Sequence, residues 1–179
     1  MGPMSSNEKI VYRTEIDTPL GTMIAGATEN GICLLEFVDR RMLGTQLKKI
    51  EKYFKADLIP GESEFFPQLN KELKEYFDGE RREFSIPLSI TGTEFQKKVW
   101  DVLMNIPYGE TRSYMAQAVA LGNPKAVRAV AGANGKNAIG IIIPCHRVIG
   151  SDGKLVGYGG GLWRKKFLLE LESGQNLKK

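Results

Sequence analysis

The chain changes its apolar pattern once, at Thr91-Gly92-Thr93, and that change confines it to a fold in two parts. Before it, short β-forming runs alternate with turn signals; after it, apolar residues recur at helical spacing. Runs at 10–16, 22–28 and 32–38 read as strands. The first two are joined through Thr18-Pro19-Leu20-Gly21 and the last two by Glu29-Asn30-Gly31, whose Asn-Gly pair is a strong hairpin signal. Leu47, Ile50 and Phe54, then Leu69, Leu73, Tyr76 and Phe77, predict helices over 43–55 and 67–77, and Asp78-Gly79 ends the second. A further β-like run over 82–90 leads to the change. Residues 1–91 are therefore expected to form an N-terminal supporting α/β domain and 92–179 a second domain that carries the chemistry.

In the second part, Thr93 is a suitable N-cap for a helix with Phe95, Val99, Val102, Leu103 and Ile106 on its core face, stopped by Pro107-Tyr108-Gly109. Thr111-Arg112-Ser113-Tyr114 opens a short helix to residue 121. Gly122-Asn123-Pro124 turns the chain, and a second helix runs from 125 to about 133, the sequence form of a helix-turn-helix. Ala126, Ala129, Val130, Ala131, Gly132 and Ala133 leave that second helix with little bulk, which suits entry into a DNA groove and equally suits close packing on another helix. A last helix over 162–171 is expected to bury Leu168 and Leu171 and to show Arg164-Lys165-Lys166 to solvent.

Composition excludes several classes. The hydrophobic fraction is 42% and the charged fraction 26%, globular values and not those of a disordered chain. The longest apolar stretch, 139–144, is far short of the roughly 18 residues of a membrane span. No basic segment followed by an apolar run opens the chain, so a cytoplasmic protein with no membrane partner is expected. Two cysteines and one histidine cannot fill a four-ligand zinc site, and neither metal nor cofactor is expected. Charge is split unevenly: residues 1–91 hold 12 Lys+Arg against 15 Asp+Glu, and residues 92–179 hold 13 against 6. A basic second half fits contact with a polyanion, or a solvated basic surface.

Ile141-Ile142-Ile143-Pro144-Cys145-His146-Arg147-Val148 joins a β-like apolar run to a cysteine beside the chain's sole histidine. A thiol with its usual pKa is only a few per cent thiolate near neutrality. Lowering it from about 8.5 to roughly 6.5 asks for about 2.7 kcal/mol, within reach of one histidine and a helix N-terminus. Neighbouring side chains on extended backbone diverge, so a bridging water or a turn at Pro144 is expected in place of direct Cys145–His146 contact. Taken alone, the tetrapeptide also fits an ordinary buried cysteine, which is how Cys33, flanked by Ile32 and Leu34, reads.

These residues resemble the O6-alkylguanine-DNA alkyltransferases, the methylated-DNA–protein-cysteine methyltransferases. Beyond Ile143-Pro144-Cys145-His146-Arg147-Val148, the resemblance takes in Tyr114, Gly122-Asn123-Pro124, Arg128, Asn137, Tyr158 with its glycine run, and Glu172, and covers nearly the whole chain. It implies an α+β fold: a small antiparallel sheet with helices, RNase H-like, followed by a mostly helical, winged-helix-like domain holding the helix-turn-helix and the cysteine. The implied activity is direct-reversal repair. O6-alkylguanine, mainly O6-methylguanine and also O4-methylthymine, is flipped from double-stranded DNA, and the alkyl group moves irreversibly and stoichiometrically to Cys145.

His146 is implied as water-mediated base, Glu172 as the carboxylate orienting it, and Asn137 as the brace of the turn. Arg128 would enter the stack, Tyr114 would crowd the flipped nucleotide's phosphate, and Ala126 and Ala129 would face DNA. Tyr158, Val148 and Gly159 would line the guanine site. Gly159 stands where many relatives carry serine, and Ala138 and Gly140 where prolines are common. A monomer is expected, with cooperative binding along DNA left open. The alternatives are a non-catalytic helix-turn-helix DNA-binding protein and a Cys-His hydrolase. A hydrolase normally brings its histidine from a distant segment.

Overall fold

The structure, a computed structural model, describes residues 9–174. Strands β1 (Lys9–Thr18), β2 (Gly21–Thr28) and β3 (Gly31–Phe37) form an antiparallel meander at the turns the sequence marks. Helix α1 (Leu43–Phe54) ends where Lys55 turns left-handed at φ 52°. The chain then adds β4 (Ala56–Pro60), parallel to β1, giving the order β3-β2-β1-β4. This fourth strand carries too little pattern to be seen in the sequence, since only Leu58 of its five residues is buried.

The sheet is covered on both faces. Val11, Ile24, Cys33, Leu34 and Leu58 pack with Ile50 of α1. On the other face Met23, Ala25, Leu35 and Phe37 join Leu69, Leu73 and Tyr76 of α2 (Phe65–Phe77) in a core that continues without a break to Leu103, Val148 and Leu168 of the second half. Every residue of β3 is consequently buried. Its free edge is shared by two short segments: Ile32 donates to Pro87 O (2.9 Å) and accepts from Ser89 N (2.8 Å), while Leu35 donates to Ala138 O and accepts from Gly140 N (both 2.8 Å). An exposed strand edge is thereby closed. The expected strand over 82–90 reduces to one bridge, Ile32 with Leu88. Pro87 has no N–H to extend the ladder, and residues 138–140 occupy the rest of the edge.

Helix α3 (Glu94–Met104) begins with a capping box: Thr93 Oγ1 accepts from Gln96 N, and Gln96 Oε1 from Thr93 N, both at 3.1 Å. Phe95, expected in the core, is 37% exposed; Trp100 takes that place and donates from Nε1 to Ala133 O at 2.9 Å. After β5 (Arg112–Ser113), Ser113 caps α4 (Tyr114–Leu121), which Gly122 ends at φ 90°. A single 3-10 turn, Pro124–Ala126, precedes α5 (Val127–Gly135), so the second helix starts two residues later than the spacing suggests. Gln117 and Asn134 lock α4 to α5 through a buried, two-way amide pair at 2.8 Å. The short β6 (Val148–Ile149) pairs parallel with β5.

Helix α6 (Leu162–Ser173) corrects one expectation outright. Arg164 and Lys165 are 5% and 0% exposed, and of the three basic residues Lys166 alone keeps to solvent. The helix lies where the two halves meet. Arg164 is held against Phe37 (3.9 Å to the ring centre) and Trp163 (4.7 Å), donates to Leu20 O at 2.9 Å, and forks onto Asp39.

Candidate active site

Residues 138–144 leave the edge of β3 as a series of turns, where the sequence suggests a strand. Ile141 has φ 68° and Ile142 N donates to Gly140 O at 2.7 Å. A β-branched residue at positive φ is strained, and such strain persists only where the surroundings impose it. Ile141 and Ile143 are both 1% exposed, so core burial of the isoleucines imposes it here. The turns deliver Cys145 as the first residue of a 3-10 turn, Cys145–Arg147.

Asn137 fastens this loop. Its Nδ2 donates to Ile143 O (2.8 Å) and lies 3.4 Å from Cys145 Sγ, while Oδ1 accepts from Ile139 N (2.9 Å). His146 turns away into full burial, with Nε2 2.7 Å from Glu172 Oε2. The same carboxylate accepts from Tyr76 OH (2.6 Å) and, at both oxygens, from Arg147 (2.8 and 3.0 Å). Burial alone would raise the Glu172 carboxyl; the bonds and charges of His146 and Arg147 outweigh it and hold the group down at about 2. Burial lowers His146 despite Glu172, so the ring is neutral. With Nε2–H given to the carboxylate, Nδ1 is the basic atom, and it is buried without a hydrogen-bond partner.

The thiol departs from the expected direction. Burial raises Cys145 above its ordinary value, against the downward pulls of the Asn137 amide, Lys165 and Arg40; Glu36 adds to the rise. His146 commits its Nε2 to Glu172, and desolvation of the sulfur dominates. The resting site is a neutral thiol beside a neutral imidazole.

The other expected residues fall into two groups. Tyr158 is half-buried, and burial together with the Cys145 and Glu36 charges keeps its hydroxyl protonated. Tyr114 donates to Val156 O at 3.1 Å. Val148 is fully buried in β6, so its main chain is all it can offer a ligand. On α5, Arg128 and Ala129 are exposed, and Ala126, at the end of the 3-10 turn before it, is partly so. A Cβ added at Gly132 or Gly135 would meet nothing within 4 Å. Ala129, Ala131, Gly132 and Gly135 therefore open onto free space, while Val130 and Ala133 pack into the core, so the small residues serve close packing on one face and leave the other bare.

Four residues escaped the sequence reading. Tyr76 reaches Glu172 from α2. Lys165, its ammonium pulled to about 8 by burial, donates to Val156 O at 2.7 Å and lies 5.9 Å from the Tyr114 ring. Its helical phase with Leu168 and Glu172 was the available signal. Glu36 near the end of β3 and Arg40 in the loop just after it form a part-buried ion pair, with the carboxylate buried. Behind Tyr158 and Gly159 a cleft of about 740 Å³ opens between the halves, with Arg40, Arg41, Lys49 and Lys136 on its walls.

Known proteins are similar to this chain in sequence and in fold. Residues 11–90 match the family described as 6-O-methylguanine DNA methyltransferase, ribonuclease-like domain, and residues 94–174 match its DNA binding domain. The methylated-DNA–protein-cysteine methyltransferase of Methanosarcina barkeri is 46% identical over 162 residues, covering 90% of this chain and 97% of that protein. The constitutive enzyme of Bacillus subtilis is 44% identical, covering 90% and 94%. Among solved structures, Mycobacterium tuberculosis O6-methylguanine methyltransferase superposes with a TM-score of 0.79 at 40% identity, over 95% of this chain and 97% of that one. The M. tuberculosis OGT in complex with DNA gives 0.78 at 42%, over 91% and 93%.

Proposed function

This chain belongs to the 6-O-methylguanine DNA methyltransferase family and repairs DNA by alkyl transfer, and we propose that it moves the alkyl group from guanine O6 to Sγ of Cys145. In this reading residues 92–179 bind double-stranded DNA and perform the transfer, and residues 1–91 support them. Arg128, exposed on α5, fills the stack after the alkylated base has left it, since unstacking costs a few kcal/mol and a planar cation recovers part of that. Ala126 and Ala129 allow α5 to approach the groove, and Tyr114 crowds the backbone of the extruded nucleotide.

The observation that carries the reading is the pairing of a half-buried thiol, held by Asn137, with a neutral imidazole whose free Nδ1 is basic. The Cys145 proton passes through one water to Nδ1, and Glu172 stabilises the imidazolium that results. Sulfur attacks the sp³ carbon, the carbon–O6 bond breaks, and its electron pair leaves with guanine. Tyr158, kept protonated, donates a hydrogen bond to the departing base, and the proton released by sulfur ends on that base by way of His146 and solvent. Gly159 and the Val148 main chain border the guanine site. The product is a thioether with no hydrolytic exit, so each molecule reacts once.

The test is mass measurement after incubation with an equimolar duplex carrying O6-methylguanine. The peptide containing Cys145 should gain one methylene, Cys145→Ser should gain none, and turnover should stop at one equivalent. A gain on any other peptide, or a protein that binds the duplex and gains no mass, overturns the assignment.

A further inference from the structure

Arg40 lies in the loop just after β3, in the acidic half of the chain, yet its guanidinium reaches into the reactive half. It pairs with buried Glu36, donates from Nη2 to Gly135 O at 2.6 Å, and reaches Asn137 O from Nη1 at 3.3 Å. Gly135 is the last residue of α5, where free carbonyls and the helix dipole favour a cation. Asn137 is the residue whose amide fastens the cysteine loop. Gln46 Nε2 adds a second donor to the same Asn137 carbonyl, at 3.3 Å. One side chain thus joins the end of the DNA-facing helix to the brace of the thiol.

The same guanidinium explains a glycine. Gly159 has no positive φ, so its backbone would accept any residue. A Cβ placed there would lie 2.5 Å from Arg40 Cζ and 2.7 Å from both Nε and Nη2. A flexible arginine would ordinarily move aside. This one is held by a carboxylate and two carbonyls, so making room at 159 means breaking those bonds.

We propose that Arg40 is a positioning residue for alkyl transfer, holding the end of α5 and the Asn137 loop together, and that it fixes residue 159 as glycine by occupying the space of its side chain. The inference rests on the repair reading for its effect on rate, while its structural half stands apart from that reading.

Four full-length proteins test it: wild type, Arg40→Ala, Gly159→Ser and the double variant. Hydrogen exchange over residues 135–145 reads loop order without any substrate. Both single variants should exchange several-fold faster there, and the double variant no faster than Arg40→Ala, because Gly159→Ser reaches this loop by displacing Arg40. Capture of alkyl groups at Cys145 should slow about tenfold in each single variant, on O6-methylguanine duplex and on free O6-benzylguanine alike, the size expected for losing one or two charge-assisted bonds. In the Arg40→Ala background, Gly159→Ser should slow it by much less than it slows the wild type. The 740 Å³ cleft gives a displaced side chain somewhere to go, so Gly159→Ser should still fold. Unchanged exchange in Gly159→Ser, or effects of the two substitutions that simply add, would sink the proposal. A wild type that gains no alkyl mass would instead sink the repair reading, and the exchange data would still decide the role of Arg40.

Discussion

Glu172 carries more of the site than any other single acceptor, taking hydrogen bonds from Tyr76, His146 and Arg147 with its side chain 1% exposed. Its folded pKa of about 2 lies below the ordinary 4.5, so the stability it contributes is complete above about pH 4.5 and is lost as pH falls towards 2. His146, whose folded value is also depressed, acts with the same sign below its ordinary 6.5. Glu172→Gln should therefore lower unfolding free energy by about 3 kcal/mol at pH 7, and the gap to wild type should narrow below pH 4.5. Urea titrations at pH 7, 5 and 4 check this; a gap that widens on acidification contradicts it. The variant should also transfer alkyl groups more slowly, because an imidazolium formed at His146 would lose its counter-charge.

Helix α5 separates two duties along its length. Val130, Ala133 and Asn134 face inward, and Asn134 with Gln117 fixes the angle to α4, while Arg128, Ala129, Ala131 and Gly132 face outward and bare. A helix whose outer face is mostly small residues can lie deep in a groove, and in the proposed reading Arg128, near its start, is the side chain that enters the stack. Arg128→Ala should slow repair in duplex DNA by tenfold or more, the few kcal/mol of unstacking no longer being offset. Reaction with free O6-benzylguanine should be spared. Equal loss on both substrates would remove Arg128 from flipping and place it in the pocket.

At the scale of the molecule the acidic half is a working part of the site. β3 hydrogen-bonds to residues 138 and 140, Arg40 reaches Gly135 and Asn137, Arg164 of α6 reaches back to Leu20 and Asp39, and Tyr76 of α2 touches the carboxylate behind His146. Gly140 fits this docking: its N–H makes one of the two bonds to Leu35, and a proline at that position would have none to give. Tyr76→Phe removes one buried hydrogen bond across the halves. It should cost about 1 kcal/mol in denaturant unfolding and slow transfer several-fold with DNA affinity unchanged. A loss of affinity with an intact rate would show that Tyr76 acts on the DNA-facing surface instead.

Much of this protein is written locally. The Asn30-Gly31 hairpin, the Thr93 and Ser113 caps, the Gly122 stop and the Pro144-Cys145-His146-Arg147 motif were legible because each depends on residues within a few positions of one another. Burial and long-range pairing are decided by the whole chain, and there the local pattern misled. Ile141 and Ile143 read as a strand and bury themselves from a turn. Arg164 and Lys165 read as solvated, yet Arg164 fills the seam between the halves and Lys165 is buried beside Val156 and Tyr114. The Cys145 thiol, expected to be lowered by its neighbours in sequence, is raised by its enclosure in space. Which groups lose water, and which charges then face them across 100 residues, only the tertiary structure decided.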